Sequence, residues 1–136
     1  MSELIAVRQF MARNLITFQP DMDVMEAVRI LVDERISGAP VVDEIGNLVG
    51  VLTEKDCLPI ALSAGYHEEW GGRVEEYMTR DVVSIDPDTS IIDVAKRFLD
   101  GPHRRYPVLS QGRLVGLVSR RDILRALGQL SWTSND

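Results

Sequence analysis

The chain has 136 residues, of which 45% are hydrophobic and 26% charged, and this composition is ordinary for one compact domain or two small units that share a core. A formal net charge of −6 argues against a protein that coats nucleic acid, because neutralising phosphates requires a cationic surface. Cys57 is the one cysteine, which excludes an intramolecular disulfide and a multi-cysteine metal cluster.

The chain contains an internal repeat. The segment that begins at Val7 can be laid over the segment that begins at Val74 with an offset of 67 residues, and the offset becomes 66 from Gly46 and Gly112 onward. The paired residues include Met11 with Met78, Pro40 with Pro107, and Gly50 with Gly116. Self-similarity of this length indicates two copies of one supersecondary unit.

Each copy begins with a short extended segment, residues 15–18 in the first and 82–85 in the second, followed by a proline and acidic residues that mark a helix start. The helix carries apolar residues at i, i+3, i+4, i+7 and i+8, which predicts that one face lies in the core. These residues are Val24, Ala27, Val28, Leu31 and Val32 in the first copy, and Ile91, Val94, Ala95, Phe98 and Leu99 in the second.

Two apolar runs follow in each copy, joined by the polar stretches "DEIGN" and "SQGR", and this pattern predicts a β-hairpin before a second helix. Each copy is therefore a β-α-β-β-α unit, and the fold class is α+β. A unit of about 60 residues is marginally stable alone, so we expect the two copies to pack sheet to sheet with pseudo-two-fold symmetry. The predicted boundaries are 1–63 for the first repeat, 64–73 for a linker and 74–136 for the second repeat.

The predicted linker contains three glycines, at positions 65, 71 and 72, which is typical of a connector. We expect Trp70 to pack onto a helix end. His67, Glu68 and Glu69 are adjacent, and adjacent residues on a loop rarely converge on a metal ion without a further partner, so a solvated linker is favoured and no metal ligand is predicted.

The third strand of each copy runs into a helix through a repeated phrase, "LVGVLTEKD" at 48–56 and "LVGLVSRRD" at 114–122. Thr53-x-x-Asp56 and Ser119-x-x-Asp122 have the form of a capping box, which stabilises a helix by about 1 kcal/mol and needs no ligand. Capping does not explain the glycine in each phrase, because glycine weakens a strand unless something approaches its backbone closely. Capping does not explain the aspartate in each phrase either, since glutamate is the usual residue at that position of a capping box. Capping and ligand binding are both compatible with the pattern.

The chain resembles a CBS-domain pair, or Bateman module. The resemblance depends on two tandem β-α-β-β-α units, each with "PV" in the second strand and the repeated phrase across the third strand and the following helix. The resemblance covers roughly residues 4–128. It implies a regulatory or sensor module that binds an adenosine-containing ligand, with AMP, ADP or ATP favoured, in the cleft between the repeats and signals to a separate partner protein. An adenine nucleotide would be a regulatory ligand, and no covalent cofactor is implied.

The resemblance also implies roles for particular residues. Asp56 and Asp122 would each bind the two ribose hydroxyls, for which a carboxylate offers two acceptor oxygens. Four hydroxyl residues would line the ribose, phosphate or adenine, and they are Thr17, Thr53, Ser84 and Ser119. The candidates for phosphate binding are Lys55, Arg104, Arg105, Arg120 and Arg121.

The two sites are not expected to be equal. Where the second copy has Arg104 and Arg105, the first copy has Ser37 and Gly38. In the family each site combines residues of both copies, so the resemblance implies that these arginines would bind phosphate at the site of Asp56. We expect that site to bind the nucleotide more tightly. The site that combines Thr17, Ser119, Asp122 and Lys55 departs from the basic pattern and is expected to bind weakly or stay empty. The alternative for the arginines is a solvated patch that balances an acidic protein.

No catalytic constellation is recognisable. Neither His67 nor His103 belongs to a triad motif with a nucleophile, and Cys57 aligns with Ile123, which indicates a core thiol. We therefore predict a protein that is not an enzyme. The alternatives to a nucleotide sensor are a ligand-free dimerisation scaffold and a sensor of S-adenosylmethionine or an NAD-type ligand.

We expect a homodimer through the helix faces that the pair leaves free, because two-fold dimers are the commonest oligomers. The apolar runs, such as residues 48–52, are too short to span a membrane, and the first residues lack the apolar region of a signal peptide. We therefore expect a cytoplasmic protein with no membrane or nucleic-acid partner.

Overall fold

The computed structural model describes residues 5–67 and 71–134, and for residues 63–67 and 131–134 it describes the backbone alone. The predictions for Trp70, Glu68 and Glu69 fall outside the described residues. The helices are α1 (Val24–Asp33), α2 (Glu54–His67), α3 (Ile91–Asp100) and α4 (Arg120–Ser134). The strands are β1 (Gly38–Val42), β2 (Leu48–Thr53), β3 (Arg105–Ser110) and β4 (Arg113–Ser119). This order of elements confirms the predicted α+β class with two equivalent repeats.

The chain divides into two compact units, and neither unit corresponds to one sequence repeat. The continuous unit is residues 16–82, and the composite unit combines residues 1–15 with residues 83–136. The segment before residue 16, which the repeat pattern assigns to the first copy, thus belongs to the same unit as β3 and β4. In addition, α2 continues to His67 and so enters the segment that the sequence predicts as a linker.

In the continuous unit, β1 and β2 form the predicted antiparallel hairpin, with Gly38 opposite Thr53. Phe18 extends the hairpin on one side by a parallel bridge to β1, and Thr79 extends it on the other by an antiparallel bridge to Val51. The predicted extended segment before α1 therefore contributes a single bridge rather than a full strand. The core residues that solvent barely reaches include Phe18, Val24, Val41, Leu52 and Val74.

The composite unit has the same plan. The hairpin of β3 and β4 is antiparallel, with Arg105 opposite Ser119. Ile85 forms the parallel bridge to β3, and Ala12 forms the antiparallel bridge to Leu117 of β4. Its core residues include Val7, Ile91, Val94, Val108 and Val118. The antiparallel bridge residue of each unit thus comes from the other sequence repeat.

The predicted core faces of α1 and α3 are correct except at their last positions. The first four residues of each stripe are buried or half-buried, whereas Val32 and Leu99 are 69% and 85% exposed. In an α-helix, position i+8 is rotated about 80° from position i, which turns these two side chains away from the sheet. Among the described helices, none combines the length and the apolar character that crossing a membrane requires.

Candidate functional site

The strand glycines, Gly50 and Gly116, lie against methionines of their own unit. A Cβ atom added to Gly50 would lie 2.7 Å from Met78 Sδ and 2.8 Å from the Thr79 carbonyl oxygen. At Gly116 the corresponding distances are 2.5 Å to Met11 Sδ and 3.0 Å to the Ala12 carbonyl oxygen. Something does approach these glycines closely, as the sequence predicts, but in both units it is a neighbouring segment of the chain and not a ligand.

The end of β2 and the start of α2 form a corner around Asp56. The Thr53 backbone N–H donates to Asp56 Oδ2 at 2.9 Å, and the Asp56 N–H donates to Thr53 Oγ1 at 3.2 Å. These reciprocal bonds are the predicted capping box. The Thr79 hydroxyl also donates to the carboxylate, at 3.2 Å from Oδ1 and 3.4 Å from Oδ2. We call Thr53, Asp56 and Thr79 the Asp56 corner.

The end of β4 and the start of α4 form the equivalent corner around Asp122. The Ser119 N–H donates to Asp122 Oδ2 at 2.8 Å, and the Asp122 N–H donates to Ser119 Oγ at 3.2 Å, so the second capping box is also confirmed. Arg125 Nη2 donates both to Asp122 Oδ1 at 3.0 Å and to the Phe10 carbonyl oxygen at 3.1 Å. We call Ser119, Asp122 and Arg125 the Asp122 corner.

Sequence reasoning missed Thr79 and Arg125, the side chains that donate to Oδ1 in the two corners. The repeat places Ala12 at the position of Thr79 and Pro59 at the position of Arg125, so neither donor has a counterpart in the other copy. A signal for Arg125 was available, because residues three apart on a helix are neighbours and Arg125 follows Asp122 by three. No local pattern connects Thr79 to Asp56.

The structure places four predicted phosphate-binding arginines at one end of the β3–β4 hairpin, near the start of α4. The Arg104 carbonyl accepts from the Arg120 N–H at 3.4 Å, and the Arg120 guanidinium donates to the His103 carbonyl at 3.3 Å. All four are exposed, and they are Arg104, Arg105, Arg120 and Arg121. These arginines lie in the same unit as Asp122. Their predicted binding of phosphate at the Asp56 site would combine residues of different units, and it stays a prediction. Lys55 is exposed in the first turn of α2.

Thr17 and Ser84 each precede the residue that forms the parallel bridge of its unit. Thr17 is exposed and Ser84 is half-buried. The Ser84 backbone carbonyl accepts from Arg97 at 3.4 Å, but among the described residues neither hydroxyl forms a hydrogen bond. Within its own unit, each hydroxyl is therefore free to bind a ligand, and neither contributes to the carboxylate corner.

A groove of about 420 Å³ in the continuous unit does not include the Asp56 corner. It is lined by Gln19, Pro20, Asp21, Asp43, Glu44, Ile45 and Glu75. The backbone N–H of Asn47 holds the pKa of Asp43 below its usual value, so this carboxyl is charged at neutral pH. Four acidic residues make the groove unsuitable for phosphate. Among the described residues, no three His, Cys, Asp or Glu side chains are grouped to hold a metal ion.

Cys57 is half-buried and packs against the core of the continuous unit. Burial raises the pKa of its thiol, and the negative charge of Asp56 raises it further. The thiol is therefore protonated at neutral pH, which does not favour a nucleophile.

The family model of the CBS domain matches residues 7–62 and again residues 74–129, and this chain belongs to the CBS domain family. Among curated proteins, the uncharacterised protein MJ1225 of Methanocaldococcus jannaschii is 33% identical over 129 residues. That match includes 95% of this chain but 45% of the relative, so the chain spans less than half of that protein's length.

Two solved structures have both a similar fold and 30% sequence identity. One is CBSX2 of Arabidopsis thaliana in complex with AMP, with a TM-score of 0.80 over 93% of this chain and 98% of that one. The other is the CBS domain pair of protein MJ0100 in complex with 5'-methylthioadenosine and S-adenosyl-L-methionine, with a TM-score of 0.71 over the same shares. Both of these relatives bind adenosine-containing molecules.

Proposed function

We propose that this protein is a regulatory module that binds an adenosine-containing ligand, with the ribose hydroxyls donating to Asp56 and Asp122. Support comes from the family, from the adenosine compounds bound by CBSX2 and by the MJ0100 pair, and from the geometry of the two corners. The protein acts by binding rather than by catalysis, and a change in that binding reaches a separate protein target.

The observation that carries the proposal is the set of hydrogen-bond donors around the two carboxylates. In each corner a backbone N–H of the strand end fixes Oδ2, whereas Oδ1 accepts only from a side chain that can rotate away. A carboxylate has about four acceptor positions, and the second position of Oδ2 accepts from a hydroxyl that can rotate away, Thr79 at 3.4 Å in one corner and Ser119 at 3.1 Å in the other. A vicinal diol can therefore donate to both oxygens without removing the helix cap. This is how capping and ligand binding can share one aspartate.

Adenine nucleotides are favoured over S-adenosylmethionine because of the four arginines beside the Asp122 corner. Guanidinium groups bind phosphate through paired N–H donors, whereas they repel the positive sulfonium centre of S-adenosylmethionine. The arginines are exposed and keep their side-chain donors largely available, although Arg120 donates to the His103 carbonyl. We therefore propose AMP, ADP or ATP as the ligand, and S-adenosylmethionine as the second candidate.

Thermal unfolding in the presence of AMP, ADP, ATP, adenosine, S-adenosylmethionine and NADH tests this function. A ligand at about 100 times its dissociation constant stabilises the folded state by about 2.7 kcal/mol, which raises the melting temperature measurably. We expect at least one adenine nucleotide to raise it, and we expect Asp56→Asn to reduce the rise because the amide replaces one acceptor oxygen with a donor.

The matched control is Asp33→Asn, which removes the same charge from an exposed residue at the end of α1. It should respond to ligand like the unchanged protein. If no adenosine compound changes the transition, the ligand-free scaffold is the better function. If the ligand raises the melting temperatures of Asp56→Asn and Asp33→Asn equally, Asp56 does not bind ribose.

We also propose that the protein forms a homodimer in the cytoplasm. On α2, Leu58 and Leu62 are one turn apart and are 66% and 76% exposed, and on α4 the exposed leucines 124, 127 and 130 follow helical spacing. Apolar side chains grouped on helix faces are typical of protein interfaces. Sedimentation should show a dimer that Leu62→Glu weakens, and an unchanged monomer would contradict this part of the proposal.

A further inference from the structure

We propose that Arg125 is an internal competitor for the Asp122 carboxylate and lowers the affinity of that corner for a ribose. This inference rests on the proposed ribose role of Asp122. The guanidinium occupies Oδ1, the oxygen that backbone bonds leave open, and a ligand hydroxyl must displace it or share the oxygen with it.

Two acceptors hold Arg125 in this position. One terminal nitrogen, Nη2, donates to Asp122 Oδ1 at 3.0 Å and to the Phe10 carbonyl at 3.1 Å. The Asp122 side chain is 13% exposed, so its charge is less screened than that of a surface residue, and the Arg125 side chain is 52% exposed. Replacing this charged donor with a neutral hydroxyl loses an ion pair at a partly buried carboxylate. The released guanidinium can reach solvent, so the competition is reversible.

Within the part of the chain that the structure describes, the Asp56 corner has no such competitor. The position equivalent to Arg125 is Pro59, which has no side-chain donor, and Oδ1 of Asp56 accepts from the neutral hydroxyl of Thr79. A ribose hydroxyl would replace one neutral donor with another there. The corner beside the four arginines is therefore the one whose carboxylate is already occupied by a side chain. A low affinity of the Asp122 site follows from this occupied carboxylate and not from a lack of basic residues.

Salt dependence separates this competition from direct phosphate binding. Adenosine is uncharged, so dissolved salt weakens the ion pair between Arg125 and Asp122 but hardly affects the attraction between adenosine and the protein. Binding of adenosine at the Asp122 corner should therefore become tighter as salt rises. A ligand whose phosphate contacts an arginine should instead bind more weakly at higher salt.

The test is calorimetric titration of adenosine into the Asp56→Asn protein, in which the Asp122 corner is the remaining site. We expect Arg125→Gln in that background to bind adenosine about three- to tenfold more tightly and to lose the positive salt dependence, because the charge of the competitor is gone. Arg113→Gln is the matched control. It removes the same charge from an exposed residue of the composite unit, at the other end of β4 from Ser119.

Arg125→Met serves as a second variant that also removes the donor, and circular dichroism shows whether each variant is folded. An adenosine affinity that is unchanged or weaker in both Arg125 variants, relative to Arg113→Gln, overturns the inference while the proposed function stands. The same conclusion applies if the unchanged protein binds adenosine but no Asp56→Asn variant does. If neither the unchanged protein nor any variant binds adenosine or AMP, both the inference and the proposed function are wrong.

Discussion

The continuous and composite units have the same backbone plan but satisfy their aspartates differently. Both corners use the same two reciprocal bonds between strand end and helix start. They differ in the donor to Oδ1, which is the neutral Thr79 in one unit and the charged Arg125 in the other. The comparison shows that a repeated fold can surround two equivalent aspartates with different donors when single residues outside the repeated phrase differ.

The largest expected effect concerns the strand glycines. A methyl group on Gly50 would lie 2.8 Å from the Thr79 carbonyl oxygen, and one on Gly116 would lie 3.0 Å from the Ala12 carbonyl oxygen. Both carbonyl residues are paired to the adjacent strand, and in both units the nearest atom is a methionine sulfur, so the shorter backbone distance at Gly50 is the difference. A thioether side chain can move, but a paired carbonyl cannot. We expect Gly50→Ala to lower the free energy of unfolding by roughly 1–3 kcal/mol and Gly116→Ala by less.

Urea unfolding measures both changes, and Gly128→Ala is the control. Gly128 lies in α4, and a Cβ atom there would meet nothing within 4 Å, so alanine should stabilise the protein by up to about 1 kcal/mol. Equal losses at Gly50 and Gly116 would show that the two units accommodate a side chain in the same way, which would remove this difference between them.

A smaller effect is expected for the two helix caps. Thr53→Ala and Ser119→Ala each remove the hydroxyl that accepts the aspartate N–H at 3.2 Å. Each change should lower the free energy of unfolding by about 1 kcal/mol, and Ser119→Ala by slightly more, because the Ser119 hydroxyl also donates to Asp122 Oδ2 at 3.1 Å. Urea unfolding of the two variants side by side is the measurement. A clearly larger loss for Thr53→Ala would contradict this expectation.

The smallest effect concerns Cys57, for which the composite unit has the buried Ile123. Because burial and then Asp56 raise the pKa of the thiol above its ordinary value near 9, alkylation by iodoacetamide should accelerate only at a higher pH than it does for a free cysteine. Asp56→Asn should move the rate profile slightly to lower pH, and most of the shift should remain. A profile like that of free cysteine would show that Cys57 is not desolvated.

Local patterns predicted most of the fold. The repeat, the hairpins and both capping boxes depend on residues close in sequence, and the apolar stripes failed only at Val32 and Leu99. The sequence did not show that Met11 packs on Gly116 and Met78 on Gly50, because these contacts join different repeats. The continuation of α2 past Gly65 was also missed, since a glycine usually indicates a loop but a helix tolerates it at some cost.

The two carboxylate corners of the candidate site were predicted in part for the same reason, and their role in binding stays a prediction. Asp56 and Asp122 are identified by a phrase that occurs twice, and their capping geometry follows from spacing alone. The donor to Asp56 lies 23 residues away in the chain, and the Phe10 carbonyl that anchors Arg125 lies 115 residues from it. Contacts at such separations depend on the assembled unit, which no short pattern encodes.

The composite unit draws on both ends of the described chain, and this has a consequence during synthesis. Residues 16–82 contain every segment of the continuous unit, whereas Val7, Phe10 and Met11 pack in a core whose other buried residues lie beyond position 83 and are synthesised later. Until those later residues are available, the three apolar side chains lack the partners that bury them. Such a delay exposes apolar side chains of a nascent chain to premature association.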